Sequence, residues 1–253
     1  MRALGIDIGS RFIKAVVVEG GRPVSFKKAE TLFSPLENCM RVLDGMKADS
    51  MVVTGYGRHL LEVHMDAESI TEIKAFARGA RAVFPSCRTI IDIGGQDTKV
   101  ISLDENGLVK KFEMNDRCAA GTGKFLEVMA KALGYGIEEF GRDGHGDSAD
   151  VQISSMCTVF AESEVVSLIS KGISRQAIAK AIHKAIAGRV IAMLKRVPVK
   201  DDVVFAGGCA NNMRLKGMLE AGIGLAVNIS SLPEMTGALG AALHAEQRLF
   251  KTG

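Results

Sequence analysis

Two cysteines stand where thiol chemistry is readily supported. Cys118 opens the run Cys118-Ala119-Ala120-Gly121-Thr122-Gly123, after which Leu126, Met129, Ala130 and Leu133 recur at helical spacing. Cys157 lies within Ser155-Met156-Cys157-Thr158-Val159-Phe160-Ala161-Glu162-Ser163-Glu164, again just ahead of a stretch that reads as an amphipathic helix. Helix N-termini carry unpaired N–H groups and about half a positive charge, so they favour thiolates and anions. The pattern therefore predicts two ligating or reactive thiols at helix starts. Two cysteines 39 residues apart cannot alone fill four coordination positions, so a metal cluster held by them needs a second chain. The same pair would also suit a zinc site shared by two chains. Cys39, Cys87 and Cys209 lack that context and read as small buried hydrophobes.

A second chemistry is written twice. Asp7-Ile8-Gly9-Ser10 and Asp92-Ile93-Gly94-Gly95 each follow an apolar strand, at an offset of 85 residues. An aspartate at a strand end followed by a glycine turn presents backbone N–H groups to phosphate oxygens. Its carboxylate can hold a magnesium ion, usually through water. One such turn is weak evidence, but two at equivalent places in a repeat, with Gly207-Gly208 after another strand, are specific. Lys14 is a candidate phosphate contact whose bland reading is a solvated strand residue. Gln96 is a candidate for orienting water, or else merely bonds its own turn.

These residues must be positioned by a repeated unit. Residues 3–18 read as strand, tight turn and strand, and 24–29 as a third strand. Helical spacing covers 36–46, a short buried strand 51–54, and a helix 68–83 closed by Pro85. The pattern restarts at Thr89, turns at Glu105-Asn106-Gly107, and leads through Met114 to the Cys118 helix. Residues 141–150 read as a glycine-rich loop. Helices are expected at 159–170 and 174–196, the latter with Ile178, Ile182, Ile186, Val190 and Leu194 on one face. A strand at 203–206, a helix, a short strand at 225–229 and a helix at 235–250 follow.

Composition sets bounds. The 253 residues are 47% hydrophobic and 24% charged, as in a soluble globular protein. A net charge of +3 from 32 basic and 29 acidic residues gives no reason to expect nucleic acid. No apolar run approaches membrane-spanning length, and Asp7 interrupts any signal-peptide core, so the cytoplasm is the expected location and no membrane partner is expected. Five scattered cysteines suggest a reducing compartment. The histidines at 59, 64, 145, 183 and 244 show no ligand spacing and read as structural or surface residues.

The duplicated turns, with Gly207-Gly208 and Gly237-Ala238-Leu239-Gly240, resemble the actin/Hsp70/sugar-kinase ATPase superfamily. The two cysteine motifs are similar to those of the activators (component A) of 2-hydroxyacyl-CoA dehydratases, in the BadF/BadG/BcrA/BcrD ATPase family. The ATPase subunits of benzoyl-CoA reductase share the pattern. The resemblance covers almost the whole chain, without a large extra domain.

It implies an α/β fold of duplicated RNase H-like lobes with an ATP cleft between them. Lobe I would take residues 1–85 plus about 235–253, and lobe II residues 86–234 with both cysteines. It also implies a homodimer carrying one 4Fe–4S cluster, held by Cys118 and Cys157 of each chain. ATP hydrolysis would drive one-electron transfer to an iron–sulfur dehydratase or reductase, with a ferredoxin or flavodoxin as donor, in anaerobic metabolism. Asp7 and Asp92 would serve Mg²⁺, and Gln96 would orient the attacking water. Gly9, Ser10, Lys14, Gly94, Gly95, Asp97, Gly121, Thr122 and Gly123 would lie around the phosphates of ATP or ADP. Gly207, Gly208 and Asn211 would line the nucleoside. Members often carry an aliphatic residue where this chain has Cys209, which is not counted as a ligand. A zinc site shared by two chains would leave the ATP cleft unexplained. The rival reading is a small-molecule kinase of the N-acetylhexosamine type, which needs a catalytic aspartate base that the sequence does not display. A regulatory ATP-binding module without redox work is a third.

Overall fold

Apolar strands separated by glycine turns build two sheets of the same plan. The computed structural model describes residues 1–65, 67–142, 151–153 and 157–252. They form two compact units, one of Met1–Ile90, Leu103–Lys110 and Ser230–Gly253, the other of Ile91–Ser102 and Lys111–Ile229.

The first sheet comprises β1 (Arg2–Ile8), β2 (Phe12–Glu19), β3 (Arg22–Glu30), β4 (Ser50–Thr54) and β5 (Glu68–Ser69), in the order β3-β2-β1-β4-β5. β1 is antiparallel to β2, placing Asp7 opposite Lys14, and parallel to β4, placing Asp7 opposite Thr54. Alternation along β1 serves two cores. Leu4, Ile6 and Ile8 pack with Cys39 and Val42 of helix α1 (Pro35–Leu43), and Ala3 packs with the alanine-rich α9 (Thr236–Thr252). Gly5 permits that second contact. A Cβ there would lie 2.1 Å from the Ala238 carbonyl oxygen, so α9 rests on bare β1 backbone. Helix α3 (Glu72–Val83) meets α9 equally closely, since a Cβ on Gly240 would fall 1.8 Å from the Ala75 carbonyl oxygen.

The second sheet comprises β6 (Thr89–Ile93), β7 (Thr98–Leu103), β8 (Val109–Asn115), β9 (Val203–Ala206) and β10 (Val227–Asn228), in the order β10-β9-β6-β7-β8. Strand for strand this is the first sheet again, with β6 in the place of β1 and β9 in the place of β4. Helices α4 (Gly123–Ala132), α5 (Ile137–Arg142), α6 (Thr158–Ser170), α7 (Arg175–Leu194) and α8 (Met213–Ile223) accompany it. The face expected of α7 is buried at Ile178, Ile182, Ile186, Val190 and Leu194. On α4, Leu126, Met129 and Ala130 are buried as expected.

The structure corrects several boundaries. The helix expected at 68–83 begins only at Glu72, because Thr71 caps it by accepting from the Lys74 N–H, and Glu68–Ser69 joins β4 as a strand. A helix α2 (Arg58–Met65) occupies a stretch given no element above. Gly141 and Arg142, expected in a loop, end α5, and the remainder of that loop lies outside the described residues. The helix after Cys118 begins at Gly123, in agreement with the glycine-threonine-glycine run that separates it from the cysteine. Gly121 takes a left-handed φ of 92° and Thr122 is the extended N-cap, which delays α4 to Gly123. Helix α6 buries Ala161 and Val165 but exposes Val159, Phe160, Val166 and Ile169, so its apolar side is not spent on its own unit. No helix among the described residues is long and apolar enough to cross a membrane.

Candidate functional site

The β1–β2 turn is built around Asp7, which is almost fully buried at the strand end. Lys14 Nζ lies 2.7 Å from Asp7 Oδ2 and would be 3.2 Å from a Cβ on Gly9, so it folds over the turn. Gly9 donates its N–H to the Phe12 carbonyl at 3.0 Å, and Gly9 and Ser10 are half-buried. Beyond β4, Gly55 has a φ of 95°, and a Cβ on it would lie 2.6 Å from Asp7 Oδ1. A Cβ on Gly237 would lie 3.2 Å from Oδ2.

The β6–β7 turn repeats this arrangement with one addition. Asp92 is buried, and Lys99 Nζ approaches its Oδ2 at 3.2 Å and Asp97 Oδ2 at 2.7 Å. Gly207 follows β9 as Gly55 follows β4. Its φ is 82°, and a Cβ there would sit 2.3 Å from Asp92 Oδ1. Glycine is required at both places because a side chain would strike the aspartate and the next strand residue's carbonyl. Gly94 donates to the Asp97 carbonyl at 2.9 Å, and Gln96 stands exposed at the tip. Gly208 and Asn211 lie exposed on a 3-10 turn (Gly208–Asn211) after Gly207.

The segment after Cys118 is bound to this second turn. Gly123 N donates to Gly94 O at 2.9 Å, and Lys124 N donates to Gly95 O at 2.8 Å. The first two N–H groups of α4 are therefore engaged by carbonyls. The expectation that this helix start serves the Cys118 thiolate is corrected accordingly. Gly121 is buried, and Thr122 is wholly buried, with its hydroxyl donating to the Ala119 carbonyl. Cys118 is half-buried, while Cys157 is exposed at the N-cap of α6.

The other thiols differ. Cys39 and Cys87 are fully buried, and burial pushes the Cys39 thiol up to about 11. Cys209 is pushed up to about 12, chiefly by burial and then by the charges of Asp92 and Glu127. The donor chemistry fits two groups. Asp7 and Asp92 offer hard oxygens suited to magnesium, and Cys118 and Cys157 offer soft sulfur donors suited to iron. Among the described residues no group of three or more His, Cys, Asp or Glu converges as a metal site within one chain.

Sequence reasoning passed over Lys99 and Gly55. A signal was present for both: Lys99 follows Asp92 by seven residues as Lys14 follows Asp7, and Gly55 ends its strand as Gly207 does.

Residues 4–245 match the BadF/BadG/BcrA/BcrD ATPase family. The chain belongs to that family. It is 42% identical to the (R)-2-hydroxyglutaryl-CoA dehydratase activating ATPase of Acidaminococcus fermentans, over 98% of each chain. A solved activator of the 2-hydroxyisocaproyl-CoA dehydratase from Clostridium difficile with bound ADPNP superposes with a TM-score of 0.91 at 38% identity, over 100% of this chain and 97% of that one. A ROK family glucokinase from Streptomyces griseus shares the fold alone, with a TM-score of 0.63 at 13% identity over 98% of this chain and all of that one. This ATPase thus carries the duplicated α/β architecture expected from its sequence, and the kinase reading is not favoured.

Proposed function

We propose that this ATPase is the reductive activator of a 2-hydroxyacyl-CoA dehydratase or a related iron–sulfur reductase. The full-length likeness to proteins named as such activators supports the partner class. The observation that carries the redox reading is the contrast among the cysteines. Cys157 is exposed and Cys118 half-exposed in one unit, whereas Cys39 and Cys87 are sealed; Cys209 is half-buried like Cys118, but burial and the charges of Asp92 and Glu127 push its thiol up.

In this reading Asp7 and Asp92 serve magnesium, and the turns at Gly9–Ser10 and Gly94–Asp97 hold phosphate oxygens. Lys14 neutralises Asp7 and stands beside the turn that takes the phosphate. Gln96, exposed at the turn tip, orients the attacking water, and Gly207, Gly208 and Asn211 line the nucleoside. Cys118 and Cys157 of each of two chains hold one 4Fe–4S cluster, which supplies a one-electron couple when bound. The exposed Val159, Phe160, Val166 and Ile169 beside Cys157 give the second chain an apolar surface to cover. A ferredoxin or flavodoxin fits as the one-electron donor. Coupling of about 1–3 kcal/mol between nucleotide and cluster shifts a one-electron potential by only about 40–130 mV, so docking and hydrolysis must contribute any larger drop.

Anaerobic purification followed by iron, sulfide and mass analysis tests the proposal. Four irons per two chains, and ATP-dependent activation of a 2-hydroxyacyl-CoA dehydratase with reduced viologen as donor, are expected. A colourless monomer that activates no dehydratase overturns it.

A further inference from the structure

Thr98, the first residue of β7, is 1% exposed, and its hydroxyl donates to the Gly121 carbonyl at 2.6 Å. With the Gly123–Gly94 and Lys124–Gly95 bonds it makes a third link between the β6–β7 turn and the segment that follows Cys118. The far side of that segment is held too. Asn115 Nδ2 donates to the carbonyls of Cys118 at 2.9 Å and Ala120 at 3.3 Å, and Arg189 Nη1 reaches Ala120 O at 3.4 Å. The Cys118 loop is thus gripped between β8 and the turn, with little slack of its own.

We propose that Thr98 is the positioning residue through which the Gly94–Asp97 turn sets the placement of Cys118, a role that rests on reading that turn as a nucleotide-phosphate turn. An anion drawn onto the turn shifts the Gly94 and Gly95 carbonyls, and these carry Gly123 and Lys124 with them. The bond from Thr98 acts one step nearer the cysteine. It fixes the carbonyl of Gly121, whose left-handed φ of 92° orients the peptide leaving the loop. A buried carbonyl that loses its donor is costly, so the loop follows the turn rather than parting from it. The bonds from the Gly123 and Lys124 N–H groups make this helix start a joint with the turn.

The test is alkylation of Cys118 in the full-length, cluster-free chain under anaerobic conditions, followed by peptide mass spectrometry with and without magnesium–ADPNP. Nucleotide binding is measured separately by a fluorescent analogue. The parent chain is expected to change its Cys118 alkylation rate by at least about fivefold with nucleotide. Thr98→Val keeps the shape and removes the donor, so it should bind nucleotide as the parent does while the two rates become equal. Thr98→Ser should restore the difference. If Thr98→Val does not fold, Thr98→Ala removes the same donor and carries the comparison. A parent-like rate ratio in the donor-less variant overturns the role of Thr98. Nucleotide binding without any rate change in the parent refutes the coupling but leaves the phosphate turn standing, whereas absence of nucleotide binding removes that reading and the proposal together.

Discussion

Lys99 Nζ lies 3.2 Å from Asp92 Oδ2, seven residues away across the β6–β7 hairpin, and Lys14 holds Asp7 Oδ2 at 2.7 Å with the same spacing. The two pairs differ in what surrounds them. The Lys14 side chain is 15% exposed, whereas Lys99 is 2% exposed and also meets Asp97 at 2.7 Å. In the second hairpin one buried lysine therefore meets two carboxylates.

Removing Lys99 takes away the ammonium that both the buried Asp92 and the half-buried Asp97 contact. Lys99→Met is expected to lose about 3–5 kcal/mol of stability at neutral pH, the usual cost of breaking a buried ion pair. Lys14→Met should lose less, since it takes the ammonium from one carboxylate rather than from two. Urea unfolding of both variants decides it, and equal losses would show that the second carboxylate is irrelevant.

Gln96 touches nothing that the fold depends on, being exposed at the tip of its turn. Gln96→Ala should therefore keep nucleotide affinity and lose most hydrolysis, since ordering water matters mainly in the transition state. Phosphate release measured beside nucleotide titration separates the two effects. Hydrolysis at the parent rate would leave Gln96 as a turn residue only.

Cys118→Ser and Cys157→Ser should each abolish iron binding, because the proposed shared cluster would lose two of its four sulfur ligands at once. Cys39→Ser, Cys87→Ser and Cys209→Ser should retain it. Iron content after anaerobic reconstitution reads this directly, and full iron in either of the first two variants would refute the ligand assignment.

His183 gives a pH signature. Burial, chiefly, lowers its pKa from 6.5 to about 4, with Arg214 adding to the shift. Its Nδ1 lies 2.8 Å from the Ala179 carbonyl, and Nε2 lies 2.9 Å from Asn212 Nδ2, an arrangement suited to the neutral ring. The unfolded chain takes up the proton first, so stability is full above pH 6.5 and falls as the pH drops from 6.5 to about 4. The loss is about 3 kcal/mol at most. Denaturation midpoints across that window should show the slope, and His183→Gln should flatten it.

The α3–α9 contact predicts a graded glycine series. Gly240→Ala should be severely destabilising, because its Cβ would overlap the Ala75 carbonyl, whereas Gly217→Ala on α8 meets open space. The latter should gain up to about 1 kcal/mol from helix propensity. Thermal melts of the two proteins would expose a wrong helix placement if both behaved alike.

The sheets were legible because β1, β6 and β9 are near-continuous apolar runs ended by glycine, and no other local structure uses such runs so briefly. The start of α4 was legible too, since Gly121-Thr122-Gly123 intervenes between Cys118 and the apolar spacing that begins at Leu126. The cues that delay it, Gly121 and the N-cap Thr122, act through backbone angles rather than hydrophobicity. Helix α2 was missed because it buries only Leu61, leaving almost no periodic signal. Lys99 escaped notice for a different reason. A lysine in a strand reads as a solvent-facing residue, and only the tertiary approach of Asp92 and Asp97 makes its burial tolerable.

The laying of α9 on β1 has a consequence for synthesis. Ribosomes deliver the first 90 residues of that unit early, yet its covering helix emerges some 140 residues later, after nearly all of the second unit. At about 5–20 residues per second the β1 face carrying Ala3 and Gly5 waits roughly 7–28 s for its partner. The second unit can fold within that interval, while the first stays an open half-sandwich that invites chaperone binding. Codon changes that slow elongation between residues 111 and 229 should therefore depress the yield of soluble protein more than the same changes placed before residue 50.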